Sequence, residues 1–196
     1  MKRIILPAMF ATVTLISGCA DSSALIRKSS TSVRSDVFQE LNDGAPIPQG
    51  YTDLRITSSL KTHKTGIYSK KDIHGTPEYR LLINIDGQTV HLQGSLHEEN
   101  IEPRGLRDPE AGEGIRYRFG RDVRLKAGAH RIVFAIPDDG LAVEREIALE
   151  KGRSNSLILE PLYSLTAGKQ RPGFYGITSF REGLKGFRVI LNGKPI

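Results

Sequence analysis

The stretch Leu81-Leu82-Ile83-Asn84-Ile85-Asp86-Gly87-Gln88-Thr89-Val90-His91-Leu92 decides the fold class. Leu81, Ile83 and Ile85 recur at every second position, so they share one face of an extended strand. Asp86-Gly87 is the dipeptide that a two-residue hairpin turn favours, because both turn positions need left-handed backbone. Val90 and Leu92 continue the alternation on the return strand. The same pattern extends in both directions. Upstream, Leu54, Ile56 and Leu60 form one face, with Arg55, Thr57 and Lys61 opposite. Downstream, Ile115, Tyr117 and Phe119 alternate with Arg116, Arg118 and Gly120, and Val123 and Leu125 run into the turn Lys126-Ala127-Gly128. Ile132, Phe134 and Ile136 follow and stop at Pro137-Asp138-Asp139-Gly140. Val143, Ile147 and Leu149 precede Lys151-Gly152, Leu157 and Leu159 end at Pro161, and Phe187 to Leu191 meets Asn192-Gly193. Seven or eight short strands separated by Gly, Asp and Pro turns predict an all-β domain over 51–196, a single antiparallel β-sandwich. No sustained helical stripe interrupts them; Thr178 to Leu184 has room for one turn. Residues 97–114 lack periodicity and read as a long loop, and Gly168 to Gly186 is Gly-rich and irregular.

The 196 residues are 38% hydrophobic and 26% charged, enough for one core. One Cys excludes an intramolecular disulfide framework and a Cys-based zinc site. A net charge of +6 is too small an excess for a nucleic-acid binder, so no nucleic-acid partner is expected.

The amino-terminal segment reads as an address. Lys2 and Arg3 precede the uncharged run Ile4 to Ile16, and the small residues Ser17 and Gly18 lead to Cys19. A basic start, a short apolar run and a small-residue exit make a secretory signal over 1–18. The apolar run is shorter than the ~20 residues a spanning helix needs. Leu15-Ile16-Ser17-Gly18-Cys19 resembles a bacterial lipobox. The resemblance implies cleavage after Gly18, a diacylglyceryl thioether on Cys19, and a further fatty chain of the palmitate class on the new amino terminus. The resemblance also implies a sorting rule, in which an Asp directly after the Cys favours inner-membrane retention; here Ala20 occupies that place. The expected location is therefore the outer membrane, facing the periplasm. Two or more acyl chains anchor stably where one does not. Residues 19–50 then read as the lipidated Cys and a flexible linker. Between Ser22 and Ser35 seven of fourteen residues are Ser or Thr. Asp36 to Leu41 is long enough for one or two helical turns, capped by Asp36.

A second resemblance covers about residues 81–161. Ile83-Asn84-Ile85-Asp86-Gly87-Gln88 resembles the opening strand and turn of PEGA-type domains, and Val123 to Phe134, with Gly128 and His130, resembles their second half. Ala142 to Leu149, Lys151-Gly152 and Leu157 to Leu159 resemble their closing hairpin. The Pro-Glu-Gly-Ala tetrad is absent, and a long insertion runs from His91 to Gly120. The resemblance implies an immunoglobulin-like surface domain that is usually non-catalytic, and it supplies no site residues.

The motifs that carry chemistry are incomplete. His97-Glu98-Glu99-Asn100-Ile101 begins like a zincin helix, but Ile101 stands where the second His belongs. Gly112-Glu113-Gly114 begins a dinucleotide fingerprint, but Tyr117 stands at the third Gly. Glu98, Glu99, Glu102, Asp108, Glu110 and Glu113 lack the alternating ligand spacing of a calcium loop and read as a solvated acidic loop. Of the five His residues (63, 74, 91, 97 and 130), His91 and His130 lie on strands as candidate cross-sheet neighbours; without a third ligand no metal site is expected. No cofactor and no catalytic residue are assigned.

The basic residues are denser. Between Arg104 and Arg131 eight basic side chains face four acidic ones, and Arg116 and Arg118 point the same way from one strand. They are the candidate face for an anionic ligand, such as lipid head groups or envelope polymers. The sequence thus predicts a lipid-anchored envelope protein, a binding or structural module rather than an enzyme. Its partners would be the membrane, through the lipid, and anionic envelope polymers or another envelope protein. A cell-wall polymer hydrolase or lyase using carboxylates of 97–114 is the alternative, and an accessory subunit of an envelope complex is a second.

Overall fold

The computed structural model describes residues 19–41, 46–65, 70–104, 108–163 and 183–196. In chain order the elements are α1 (Cys19–Ser29), β1 (Phe38–Glu40), β2 (Tyr51–Thr62), β3 (Arg80–Ile85), β4 (Gln88–Gln93), β5 (Ser95–Ile101) and β6 (Gly112–Lys126). After these come β7 (Gly128–Ile136), a 3-10 turn (Pro137–Asp139), β8 (Leu141–Leu149), β9 (Ser154–Tyr163), β10 (Leu184–Leu191) and β11 (Lys194–Pro195). The expected leader over 1–18, with its cleavage site at Gly18, lies outside the described residues. So does 168–182, which holds most of the expected turn at 178–184; Leu184 instead opens β10.

The molecule is all-β, with two sheets around one core. One sheet runs β1-β6-β2-β9-β10-β11, with β5 also on β6; the other runs β4-β3-β7-β8. Alternation places the core as expected. Leu54, Ile56 and Leu60 of β2 are buried, and so are Ile83 and Ile85 of β3, Ile132 and Phe134 of β7, and Leu157 and Leu159 of β9. The longest pairing joins β2 to β6 in antiparallel register from Tyr51↔Lys126 to Thr62↔Ile115. Asp86 (φ 46°) and Gly87 (φ 94°) form the expected tight turn, with Ile85 opposite Gln88, and Asn84 Oδ1 accepts the Gly87 N–H at 2.9 Å.

Four expectations change. First, the connections at Lys126-Ala127-Gly128 and Lys151-Gly152 do not join neighbouring strands of one sheet. They carry the chain from one sheet to the other, since β6 and β9 lie in one sheet and β7 and β8 in the second. β8 and β9 therefore do not form the closing hairpin, and β9 lies parallel to β2, with Asp53 opposite Ser154 and Ser58 opposite Leu159. Second, residues 95–101 are a strand, not loop, pairing with β6 from Ser95↔Arg118 to Ile101↔Gly112. Only Leu96 and Ile101 give this edge strand an apolar signal, so its own sequence does not announce it. Third, the described residues contain ten strands from residue 51 onward instead of seven or eight.

Fourth, the segment expected as a free linker is largely ordered against the body. α1 packs on β7 and β8. The Ser29 carbonyl accepts hydrogen bonds from Asn84 Nδ2 (3.2 Å) and Thr89 Oγ1 (2.8 Å), and the Val33 N–H donates to the Gly87 carbonyl at 2.9 Å. Gln88 Oε1 accepts the N–H groups of Val37 (2.8 Å) and Phe38 (3.1 Å), while its Nε2 donates to the Phe38 carbonyl (3.0 Å). Phe38 enters the core, and β1 pairs with β6 at Phe38↔Leu125. Asp36 to Leu41 is thus partly strand rather than helical.

Candidate functional site

The two arginines singled out as an anionic-ligand face do lie two residues apart on β6, but only Arg118 is exposed. Arg116 is buried beneath two carboxylates. Its Nε donates to Glu99 Oε1 at 2.5 Å, and its two terminal nitrogens hold Glu110 bidentately at 2.7 Å each. Burial alone would raise the Glu110 pKa, but hydrogen bonds and charge from Arg116 outweigh it and hold the carboxyl below its ordinary value. Lys61, buried on the neighbouring strand, donates to the carbonyls of Glu110 (2.9 Å) and Gly112 (2.6 Å). Tyr163 closes the cluster, its hydroxyl donating to Glu110 Oε1 at 3.0 Å.

Three more of these basic residues are also paired: Arg121 meets Glu40, Arg124 meets Asp53 and Arg131 meets Glu144. Outside that stretch, Arg55 meets Asp122. The acidic segment is similarly occupied. Lys64 bridges Glu98 (3.1 Å) and Glu113 (2.5 Å), and Asp108 accepts the backbone N–H groups of Glu110 and Arg104. These carboxylates serve as ion-pair and turn partners. His91 and His130 are not neighbours: β3 lies between their strands, and His130 bonds Asp86 (2.7 Å) and the Lys126 carbonyl (2.7 Å). Cys19 is the first residue of α1.

Among the described residues, a second constellation of titratable side chains has no counterpart in the sequence reading. It forms where three separate pieces of chain meet: His63 just past β2, Asp72 and His74 in the connection to β3, and Asp139 in the 3-10 turn between β7 and β8. His63 Nε2 lies 2.5 Å from Asp72 Oδ2, and His74 Nδ1 lies 2.6 Å from Asp72 Oδ1. His74 Nε2 lies 2.8 Å from Asp139 Oδ1, and Asp139 Oδ2 accepts the Tyr79 hydroxyl at 2.6 Å. The result is one hydrogen-bonded chain, His63–Asp72–His74–Asp139–Tyr79. The His63 and His74 rings are 4.7 Å apart, and Tyr79, Tyr117 and Phe119 continue the aromatic series into the core.

Gly75 makes the approach feasible. Its φ of +79° suits glycine, and a Cβ there would lie 2.8 Å from the Thr65 backbone nitrogen. The electrostatics follow from the contacts. Burial alone would raise Asp72, but hydrogen bonds from His63 and His74 outweigh it and hold its pKa at about 2. Burial alone would lower His74, but Asp139 and Asp72 on its two nitrogens raise it to about 9. His63 is lowered, because burial outweighs its bond to Asp72. Burial, reinforced by Asp139, pushes the Tyr79 phenol up. One donor atom each from His63, Asp72 and His74 lies within 4.8 Å of the others, close enough for one ion to bridge. The sequence signal was present but diffuse: Asp72-x-His74 supplies two donors, while His63 and Asp139 are joined to them only by the fold.

No protein-family model matches the chain, and no curated protein and no solved structure matches it either. Among the described residues, no helix is long and apolar enough to cross a membrane.

Proposed function

We propose that the chain is a lipid-anchored protein of the bacterial envelope, held by Cys19 at the periplasmic face of the outer membrane. Its two-sheet body is an immunoglobulin-like sandwich and serves as a binding or structural module, not an enzyme. The observation that carries this reading is Leu15-Ile16-Ser17-Gly18-Cys19 at the end of a basic-then-apolar leader. The occupied carboxylates support the non-catalytic part. A polymer hydrolase needs two carboxyl groups flanking its substrate, whereas Glu98, Glu99, Glu110 and Glu113 are held by Lys64 and Arg116. Arg118, exposed on the outer side of β6, is the residue offered to an anionic envelope polymer. Labelling with a radioactive fatty acid tests the anchor. The native chain should incorporate label and lose its leader; Cys19→Ser should remain an unlabelled precursor. Normal processing of that variant refutes the reading.

A further inference from the structure

We propose that His63, Asp72 and His74 bind a divalent metal ion of the zinc class, with Asp139 and Tyr79 as the outer layer that orients His74. This site is independent of the anchoring at Cys19.

The donor geometry comes first. Tetrahedral zinc takes ligands at about 2.0–2.2 Å, which puts neighbouring donor atoms roughly 3.3 Å apart. The three donor atoms here lie within 4.8 Å of one another, so small rotations about side-chain bonds bring them onto one ion. His63 Nε2 and His74 Nδ1 are turned toward the same carboxylate, from opposite oxygens. An ion there would take the place of the hydrogens now shared with Asp72. Two imidazoles and one carboxylate favour zinc-like ions over calcium or magnesium, which prefer all-oxygen shells.

The outer layer is the second observation. A metal-bound histidine nearly always donates its other ring N–H to a carboxylate or carbonyl, which fixes the tautomer and aims the free lone pair. His74 has that partner: Nε2 faces Asp139, and Asp139 is itself held by the Tyr79 hydroxyl from the core. The arrangement leaves Nδ1 as the ligand atom. Access is the third. His63 and Asp72 are 12% and 10% exposed but His74 is 24% exposed, so the cluster is shielded yet open to solvent on one side. Three protein ligands leave a fourth position for water or a partner's donor atom.

The test is calorimetric titration of zinc chloride into the chelator-treated full chain in detergent. X-ray absorption of the zinc-loaded chain follows. One ion per chain is expected, with two imidazoles in the first shell. His63→Gln and His74→Gln should each weaken binding by more than about 100-fold, and Asp139→Asn by about 10–100-fold at unchanged stoichiometry. Circular dichroism of the metal-free variants checks their folding. If a histidine variant misfolds, the absorption spectrum decides: two imidazoles support the site, and a shell without them overturns it. No uptake by the native chain, or uptake unaltered in folded His63→Gln and His74→Gln, also overturns it.

Discussion

Gly75 shows how one backbone position governs a cluster of side chains. Its left-handed φ and its closeness to Thr65 hold the 72–74 segment against His63. Gly75→Ala should cost about 2 kcal/mol, from strained backbone and a displaced loop. A lowered midpoint in urea unfolding would show it; an unchanged midpoint would mean the loop adapts freely. Glu110 carries the pH argument. Its folded pKa lies below its unfolded value, so its contribution is complete above roughly pH 4.3 and is lost as the pH falls through the folded value. Stability should therefore decline on the acid side, and Glu110→Gln should make that decline shallower while lowering stability at neutral pH. Unfolding curves between about pH 3 and pH 7 read this directly, and parallel curves for the two proteins would refute it. Lys61 was legible only as an outward strand residue. Its burial depends on carbonyls supplied by the 110–112 segment, which no local pattern links to β2.

Among the elements, the strap formed by α1 and β1 departs most from expectation. A Ser- and Thr-rich segment such as 22–35 has little apolar drive to order by itself. Ser29 is held by Asn84 and Thr89, and Val37 and Phe38 beyond it are held by Gln88; all three side chains surround the β3–β4 turn and satisfy backbone groups of the strap. Gln88→Ala removes three hydrogen bonds from Val37 and Phe38. Amide exchange at those residues should accelerate strongly, with a global loss of about 1–2 kcal/mol. Exchange that stayed slow would mean that Phe38 packing alone holds the strap. β5 illustrates the converse. Its charged residues look like loop, and it becomes a strand because the exposed edge of β6 offers it a ladder.

For the whole molecule, the strap alters where the folded body begins. Fragment 51–196 retains both sheets but loses the Phe38 side chain from the core and the β1–β6 pairing. Its spectrum should remain β-type, while its stability should fall by about 3 kcal/mol relative to a chain starting at Cys19, the cost of emptying a buried Phe site. Equal denaturation midpoints would show that the strap contributes nothing to folding. A lipid on Cys19 would then sit one docked helix away from the second sheet, so the body would be held close to the bilayer rather than on a long leash. The sequence by itself determined the all-β class, the inward faces of β2, β3, β7 and β9 and the Asp86-Gly87 turn, because period-two burial and turn chemistry are local properties. Only the tertiary structure decided which strands share a sheet, that Arg116 is buried under carboxylates, and that His63, Asp72, His74 and Asp139 meet. Those outcomes depend on contacts between distant parts of the chain, which have no period along it to read.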